Sequence, residues 1–279
     1  MLLDMILLIS PKGVYATQRL FEECKKASVE VECFDIQELA AKKFEIDIDK
    51  YETLYVRQGY PYFHEAVVLA RRFAEAGKIV VDANIVEGIG DGKGQIYKRL
   101  SEAGIPIPQT NRFLDNKKPF PYILKWVYGF GGKEVHLVKD DAHVQKVLEQ
   151  LSKDELLAQE FIKAKYEYKV ITIGYRRGPV VLRLETNKET CKPDFQKHQT
   201  LNIEECVAVV EIAEKSAKLL GRELSKVDIL EDFEGHLFVL EVNRWPGLKN
   251  FESLTGYNAV EAFVKYIDKK EANRIGQPS

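Results

Sequence analysis

Residues 226–252, KVDILEDFEGHLFVLEVNRWPGLKNFE, hold the side chains best suited to bind a metal ion. Two apolar runs, VDIL and LFVLEV, flank a polar turn at Gly235, which predicts an antiparallel hairpin. Side chains alternate along a strand, so Glu241 and Asn243 share a face. With the turn centred between Glu234 and Gly235, Asp228 falls opposite Glu241 and Lys226 opposite Asn243. Oxygen donors so grouped suit a hard cation, and Mg²⁺ takes one or two carboxylates together with substrate phosphates. A solvated hairpin face would carry the same residue types. LFVLEVN is too apolar to be wholly wet, however, and an unpaired buried carboxylate is costly. A metal ion removes that cost, and we adopt the metal reading for Asp228, Glu241 and Asn243.

The stretch YILKWVYGFGGKEVHLV, residues 122–138, runs Lys125 into Gly129, Gly131 and Gly132. Glycines let backbone N–H groups approach phosphates, and the lysine supplies a point charge. A flexible turn with a surface lysine accounts for the glycines equally, and Lys133 reads as either a phosphate contact or an exposed loop residue. Arg244 and Trp245 directly follow Asn243. A guanidinium suits a substrate carboxylate through a bidentate contact, and an indole offers an apolar surface beside it. Both are expected to face an acceptor carrying a carboxylate next to an apolar or aromatic group. The alternative packs Trp245 in the core and sends Arg244 to solvent. His64, His136, His143, His198 and His236 are scattered without ligand spacing, and neither a G-x-S-x-G elbow nor a Walker A motif occurs.

EVNRWPGLKNFE resembles the E-x-N-x-x-P-G segment of ATP-grasp ligases, and LTGYNAVEAFVKYI resembles the end of the RimK-like, glutamate-ligase branch. GDGKGQIYKRLSEAGIPIP resembles the family's D-K-x(6)-L-x(3)-G-I-P segment, whose lysine contacts nucleotide phosphate; that implies Lys93, although Gly92 replaces the acidic residue before it. LLAQEFI resembles the interlobe hinge that meets adenine, implying Glu160, Phe161 and Ile162. Glu167, seven residues beyond Glu160, falls where related ligases hold the ribose hydroxyls, though an exposed charged strand would read the same. In RimK-like proteins this position opens an acidic-apolar-Arg triplet; here it is Glu167-Tyr168-Lys169, and Lys169 inherits a substrate role without the arginine fork. By the same resemblance Arg183 lies near the phosphoryl groups, Lys226 near the tetrahedral intermediate, and Arg57 of YVRQGYPYF near the acceptor.

The resemblance covers residues 50–268 with its motifs in order. It implies an ATP- and Mg²⁺-dependent (or Mn²⁺-dependent) carboxylate–amine ligase working through an acyl phosphate and adding glutamate or another amino acid. The carboxylate would be a small molecule or carrier-borne. The rivals are an ATP-grasp kinase that phosphorylates without ligating, and a non-catalytic ATP-binding scaffold.

The chain has 279 residues, 45% hydrophobic and 30% charged, with a net charge of −2, so it lacks the basic bias of a nucleic-acid binder. Cys24, Cys33, Cys191 and Cys206 show no metal spacing and read as reduced thiols of a cytoplasmic protein. No segment reaches the roughly 18 apolar residues of a spanning helix, so no membrane partner is expected. MLLDMILLIS lacks a basic start and a cleavage site and reads as a core strand rather than a signal peptide. A homo-oligomer is compatible with this composition.

These residues need elements to hold them. MILLIS, VEVECF, TLYVR and KIVVDA alternate with the helical stretches YATQRLFEECKKA and HEAVVLARRFAEAG, which predicts a parallel sheet. A helix is expected near 94–103. Strand, Gly-rich loop, strand, helix and strand follow over 121–162, two strands over 166–184 and a helix over 203–220. After the hairpin comes a helix over 259–268. CKPDFQKHQ, residues 191–199, reads as a substrate loop or a solvated linker, and ANRIGQPS as a frayed tail. The expected fold class is α/β and α+β: an ATP-grasp fold with a Rossmann-like amino-terminal (pre-ATP-grasp) lobe over 1–84, connector and lid over 85–162, a metal-binding lobe over 163–270 and a tail over 271–279.

Overall fold

A computed structural model describes residues 5–41, 45–57, 62–88, 92–114, 119–127, 134–187, 192–244 and 246–275, with side chains through 271. β1 (Met5–Ile9), α1 (Tyr15–Lys26), β2 (Glu30–Phe34), α2 (Ile36–Ala40), β3 (Thr53–Val56), α3 (Phe63–Glu75) and β4 (Ile79–Val81) follow the predicted strand–helix alternation. The strands pair in parallel in the order β2-β1-β3-β4. MILLI and TLYV are apolar almost throughout because helices cover both faces of this sheet. α3 buries Ala66, Val67, Leu69, Ala70 and Phe73, one stripe at helical spacing. It ends where Gly77, at φ 69°, takes the left-handed conformation open to glycine.

α4 (Lys93–Glu102), β5 (Thr110–Arg112), β6 (Tyr122–Trp126), β7 (Val135–Val138), α5 (Asp141–Leu148) and β8 (Leu156–Glu160) come next. Their strands form an antiparallel sheet in the order β5-β8-β6-β7. Tyr122, Leu124, Val138 and Ala158 make a core with Val144 and Val147 of α5. Strand alternation turns Lys125 to the opposite face. α4 packs elsewhere: Leu100, with Ile96 against it, enters the core of the third sheet.

The third sheet contains β9 (Ala164–Ile173), β10 (Arg176–Thr186), β11 (Pro193–Asn202), β12 (Leu224–Asp232) and β13 (Leu237–Asn243), with α6 (Val207–Leu219) between β11 and β12. It is antiparallel in the order β11-β10-β9-β12-β13. One face packs Val170, Val227 and Ile229 against Val209, Val210 and Ala213 of α6. The other contributes Ile171, Leu182 and Leu184 to a core shared with Ile6, Leu8 and Tyr55 of the first sheet. Phe251 of α7 (Lys249–Thr255) and Phe263, Val264 and Ile267 of α8 (Ala259–Ile275) complete that core. α8 therefore joins the first and third sheets.

Two elements differ from the sequence reading. Residues 193–202 form edge strand β11, not a loop or linker. Its side chains are exposed from 195 to 200, where only Phe195 is apolar, so no apolar alternation marks it, and its backbone ladder with β10 holds it. α8 continues through Ile275 instead of ending at Asp268, so it enters the stretch ANRIGQPS expected to fray; Glu271 is buried and accepts a hydrogen bond from Thr53 of β3.

Candidate active site

The hairpin β12–β13 makes the pairs its sequence predicts, by an indirect route. Near the turn the ladder pairs Glu231 with Leu237 and Ile229 with Val239, one residue out of the expected register. A bulge at Leu240 corrects it, so that Asp228 faces Glu241 and Lys226 faces Asn243. Bulges commonly re-aim side chains beside active sites. Contacts from α4 and its connector hold this one: the Tyr97 hydroxyl donates to the Leu240 carbonyl at 2.9 Å, and the Val239 N–H to the Pro106 carbonyl at 2.8 Å.

The same face continues onto β9, where Lys169 pairs with Asp228 across the sheet. Lys169 Nζ donates to Glu167 and lies 3.3 Å from Asp228 Oδ1. Lys226 Nζ lies 3.7 Å from Asp228 Oδ2, and the Asn243 amide donates to Glu241 Oε2 at 3.3 Å. From the second sheet, Lys125 Nζ donates to the Tyr97 hydroxyl at 3.2 Å. Lys93, at the start of α4, lies within the electrostatic reach of Glu241 and Lys125. Glu167, Lys169, Lys226, Asp228, Glu241, Asn243, Lys93 and Lys125 thus come together in one cleft.

Burial pushes the Glu167 carboxyl up, and the Asp228 carboxylate adds to this against the opposing pull of Lys169. Burial alone would lower the Lys169 ammonium, but Asp228 and Glu167 reverse that and hold it above the ordinary lysine value. Burial lowers Lys93, with Lys125 adding to the effect and Glu241 opposing it.

Asp228 Oδ1 is buried and accepts no hydrogen bond of acceptable geometry. The Lys169 ammonium, 3.3 Å away, is its ion-pair partner. Asp228 stands across the ladder from Glu241, beside the Asn243 carboxamide; two carboxylates and a carboxamide on one face are a donor set a hard divalent cation takes, so these residues fit Mg²⁺.

Three sequence expectations are corrected in their geometry. Arg183 pairs with Tyr168 and Gln199, so it lies on the sheet face opposite Lys169 and Asp228. There it stacks over Tyr166, 4.3 Å from the ring centroid, away from any phosphate in the cleft. Arg244 neither faces an open acceptor pocket nor reaches solvent. It is buried, 3.1 Å from Asp82 Oδ2 and 3.3 Å from Asn84 Oδ1, because a guanidinium withdrawn from water takes a carboxylate partner. Lys169 is committed to Glu167 and Asp228 rather than presented to substrate. Arg57 stands after β3, 3.4 Å from the Ser10 hydroxyl. Glu160 ends β8 and accepts the Gln109 N–H at 3.2 Å. Phe161 lines a cavity of about 290 Å³ with Phe120, Pro121, Leu137 and Lys139, and Ile162 follows it, half-buried. Gly131, Gly132, Lys133 and Trp245 lie outside the described residues. Sequence reasoning missed Tyr97, whose hydroxyl joins Lys125 to the bulge, and Asp82; neither carries a local signal.

The model of the RimK-like ATP-grasp domain matches residues 98–267, and the chain belongs to that family. It is therefore an ATP-grasp enzyme of the class that joins a carboxylate to an amine using ATP. Among curated proteins it is similar to a "Probable alpha-L-glutamate ligase" of Cellvibrio japonicus, 25% identical over 287 residues that cover 92% of this chain and 93% of that protein. Among solved structures it is similar to the ATP-grasp ligase PsnB complexed with a phosphomimetic variant of minimal precursor, Mg and ADP. That likeness has a TM-score of 0.72 at 18% identity and covers 97% of this chain and 99% of the other. It is also similar to a RimK domain ATP-grasp protein from Sphaerobacter thermophilus, with a TM-score of 0.67 at 19% identity, covering 95% and 99%. The two structural likenesses bear on the fold. Among the described residues, no helix is long and apolar enough to cross a membrane.

Proposed function

We propose that this chain forms an amide or peptide bond between a carboxylate and an amino acid, glutamate being the amino acid that its relatives' names favour, with the chemistry at the β12–β13 face. The observation that carries the placement is Asp228, a buried carboxylate across the hairpin from Glu241, with Asn243 on the same face and Lys169 and Lys226 beside it. These three residues would hold Mg²⁺, and Mn²⁺ suits the same oxygens. The ion would supply charge neutralisation at the β- and γ-phosphate oxygens.

The protein's own part is positioning and charge. Lys125 and Lys93 bind phosphate oxygens. Glu167 holds the ribose hydroxyls, and the 160–162 segment meets the base at the cavity beside Phe161. A substrate carboxylate then attacks the γ-phosphorus, giving an acyl phosphate and ADP. The amine adds to the acyl carbon and phosphate departs with one former carboxylate oxygen. Lys226, on the same face as Asp228, stabilises the oxyanion of that tetrahedral intermediate. Lys169 serves as the fixed countercharge of Glu167 and Asp228. Arg57 stands at the carboxyl-end rim of the first sheet, where ligands of open parallel sheets gather, and faces the acceptor. In this scheme 1–84, 85–162 and 163–270 act as pre-ATP-grasp, lid and metal-binding lobes.

Asp228→Asn and Glu241→Gln test the assignment. Each should lower Mg²⁺-dependent ADP formation on the order of 100-fold or more while leaving the circular dichroism spectrum unchanged. Near wild-type turnover in either variant would remove the hairpin from the metal site.

A further inference from the structure

Asp82 follows β4 in the first sheet and holds a left-handed backbone, φ 59°, which is uncommon for a residue other than glycine. Its buried carboxylate forks. Oδ1 accepts the N–H of Glu223, the residue before β12, at 2.5 Å, and Oδ2 accepts from Arg244, the residue after β13, at 3.1 Å. The Glu223 carboxylate returns to the Asp82 N–H at 2.6 Å. Asn84 Oδ1 accepts from both terminal nitrogens of Arg244 at 3.3 Å, and its amide donates to the Leu220 carbonyl at 2.6 Å. One carboxylate from the first sheet therefore holds both strands at the open end of the hairpin that carries Asp228, Glu241 and Asn243.

The two strands differ in how they are held. β12 lies between β9 and β13, whereas β13 is an edge strand whose one ladder among the described residues is with β12; Pro106 and Tyr97 hold it at the Leu240 bulge, and Arg244 ties its end. Two of the three proposed ligand residues, Glu241 and Asn243, lie on this edge strand between the bulge and Arg244. Arg244 is bonded directly to Asn243, so tethering its guanidinium to Asp82 fixes where that strand ends. Strain kept at a buried, uncommon backbone conformation marks a place where geometry matters.

We propose that Asp82 is a positioning residue for the metal site, acting through Arg244 to set the separation of Asn243 and Glu241 from Asp228. The proposal rests on the metal reading of the hairpin. The test is a Mn²⁺ titration of the full chain with ADP present, read by electron paramagnetic resonance against a protein-free ADP baseline. Asp82→Asn should raise the Mn²⁺ Kd about 10- to 100-fold, the usual effect of losing a partner beyond the ligands. Asn84→Ala, milder and safe if Asp82→Asn folds poorly, should raise it by less. Thr53→Val removes the bond to Glu271 elsewhere between the first sheet and α8; it should lower the unfolding temperature and leave the Kd unchanged. Wild-type Kd values for Asp82→Asn and Asn84→Ala, alongside loss of binding in Asp228→Asn, would overturn the clamp alone. A wild-type Kd for Asp228→Asn would overturn the metal reading and the clamp with it.

Discussion

Replacing Lys169 by methionine keeps most of its volume and deletes the ammonium between Glu167 and Asp228. Lys226 remains 3.7 Å from Asp228, so Glu167 is the carboxylate left without a countercharge. Breaking a buried pair in this way costs about 3–5 kcal/mol. A proton on Glu167 limits the loss. Protonating a carboxyl with an unfolded pKa of 4.5 at pH 7 costs about 3.4 kcal/mol, or about 1.4 kcal/mol per pH unit. The sign follows from the direction of the shift. The Glu167 carboxyl is already raised with Lys169 in place, and losing the lysine raises it further, so the extra cost in the variant is absent below pH 4.5 and grows as pH rises. The wild-type lysine is held above its ordinary value and stays charged throughout. Lys169→Met should therefore be less stable than wild type by up to about 3 kcal/mol at pH 7, and the difference should narrow as pH falls toward 4.5. Urea unfolding followed by circular dichroism in EDTA, at several pH values, measures this. A loss that does not change with pH would mean that the lysine acts by packing, and no loss at pH 7 would refute the buried pair.

Lys125→Ala should weaken ATP about 10-fold or more and AMP far less, because a charged phosphate contact is lost; equal losses in calorimetric titrations would contradict the phosphate role. Gly221 has φ 62°, and a Cβ there would lie 2.6 Å from the Asn84 side chain, so Gly221→Ala should destabilise by about 1–3 kcal/mol. An unchanged unfolding midpoint would refute that. Burial pushes the Cys24 thiol up to about 12, so at pH 8 only about one molecule in 10⁴ carries the thiolate there. Iodoacetamide should label Cys24 only after unfolding, and labelling of the native protein would contradict the structure.

The β12–β13 hairpin was legible because its signals are local: period-two alternation, a Gly turn and paired acidic positions. Even so, the correct facing of Asp228 and Glu241 depends on a bulge that no residue type announces. Arg183 shows how little separates right from wrong in a strand. It is one residue from Leu182, which pairs with Lys169, and that single step moves it to the far face. β11 escaped because an exposed edge strand held by backbone bonds needs no apolar pattern. Asp82, Asn84 and Arg244 meet only through the packing of distant segments, so sequence could supply the types of these residues but not their partners. The parallel sheet was plain because its strands, buried on both faces, are apolar almost throughout.

The central claim is that a carboxylate is activated by phosphoryl transfer and then joined to an amine. Incubating the protein with ATP, Mg²⁺ and a panel of amino acids and short peptides bearing ¹⁸O in their carboxylates tests it, with mass spectrometry of the phosphate released. Transfer of one ¹⁸O to phosphate for each amide formed is predicted, because phosphate leaves with a former carboxylate oxygen. Amide formation without ¹⁸O in phosphate, or ADP release that accumulates a phosphorylated substrate and no amide, would contradict the account.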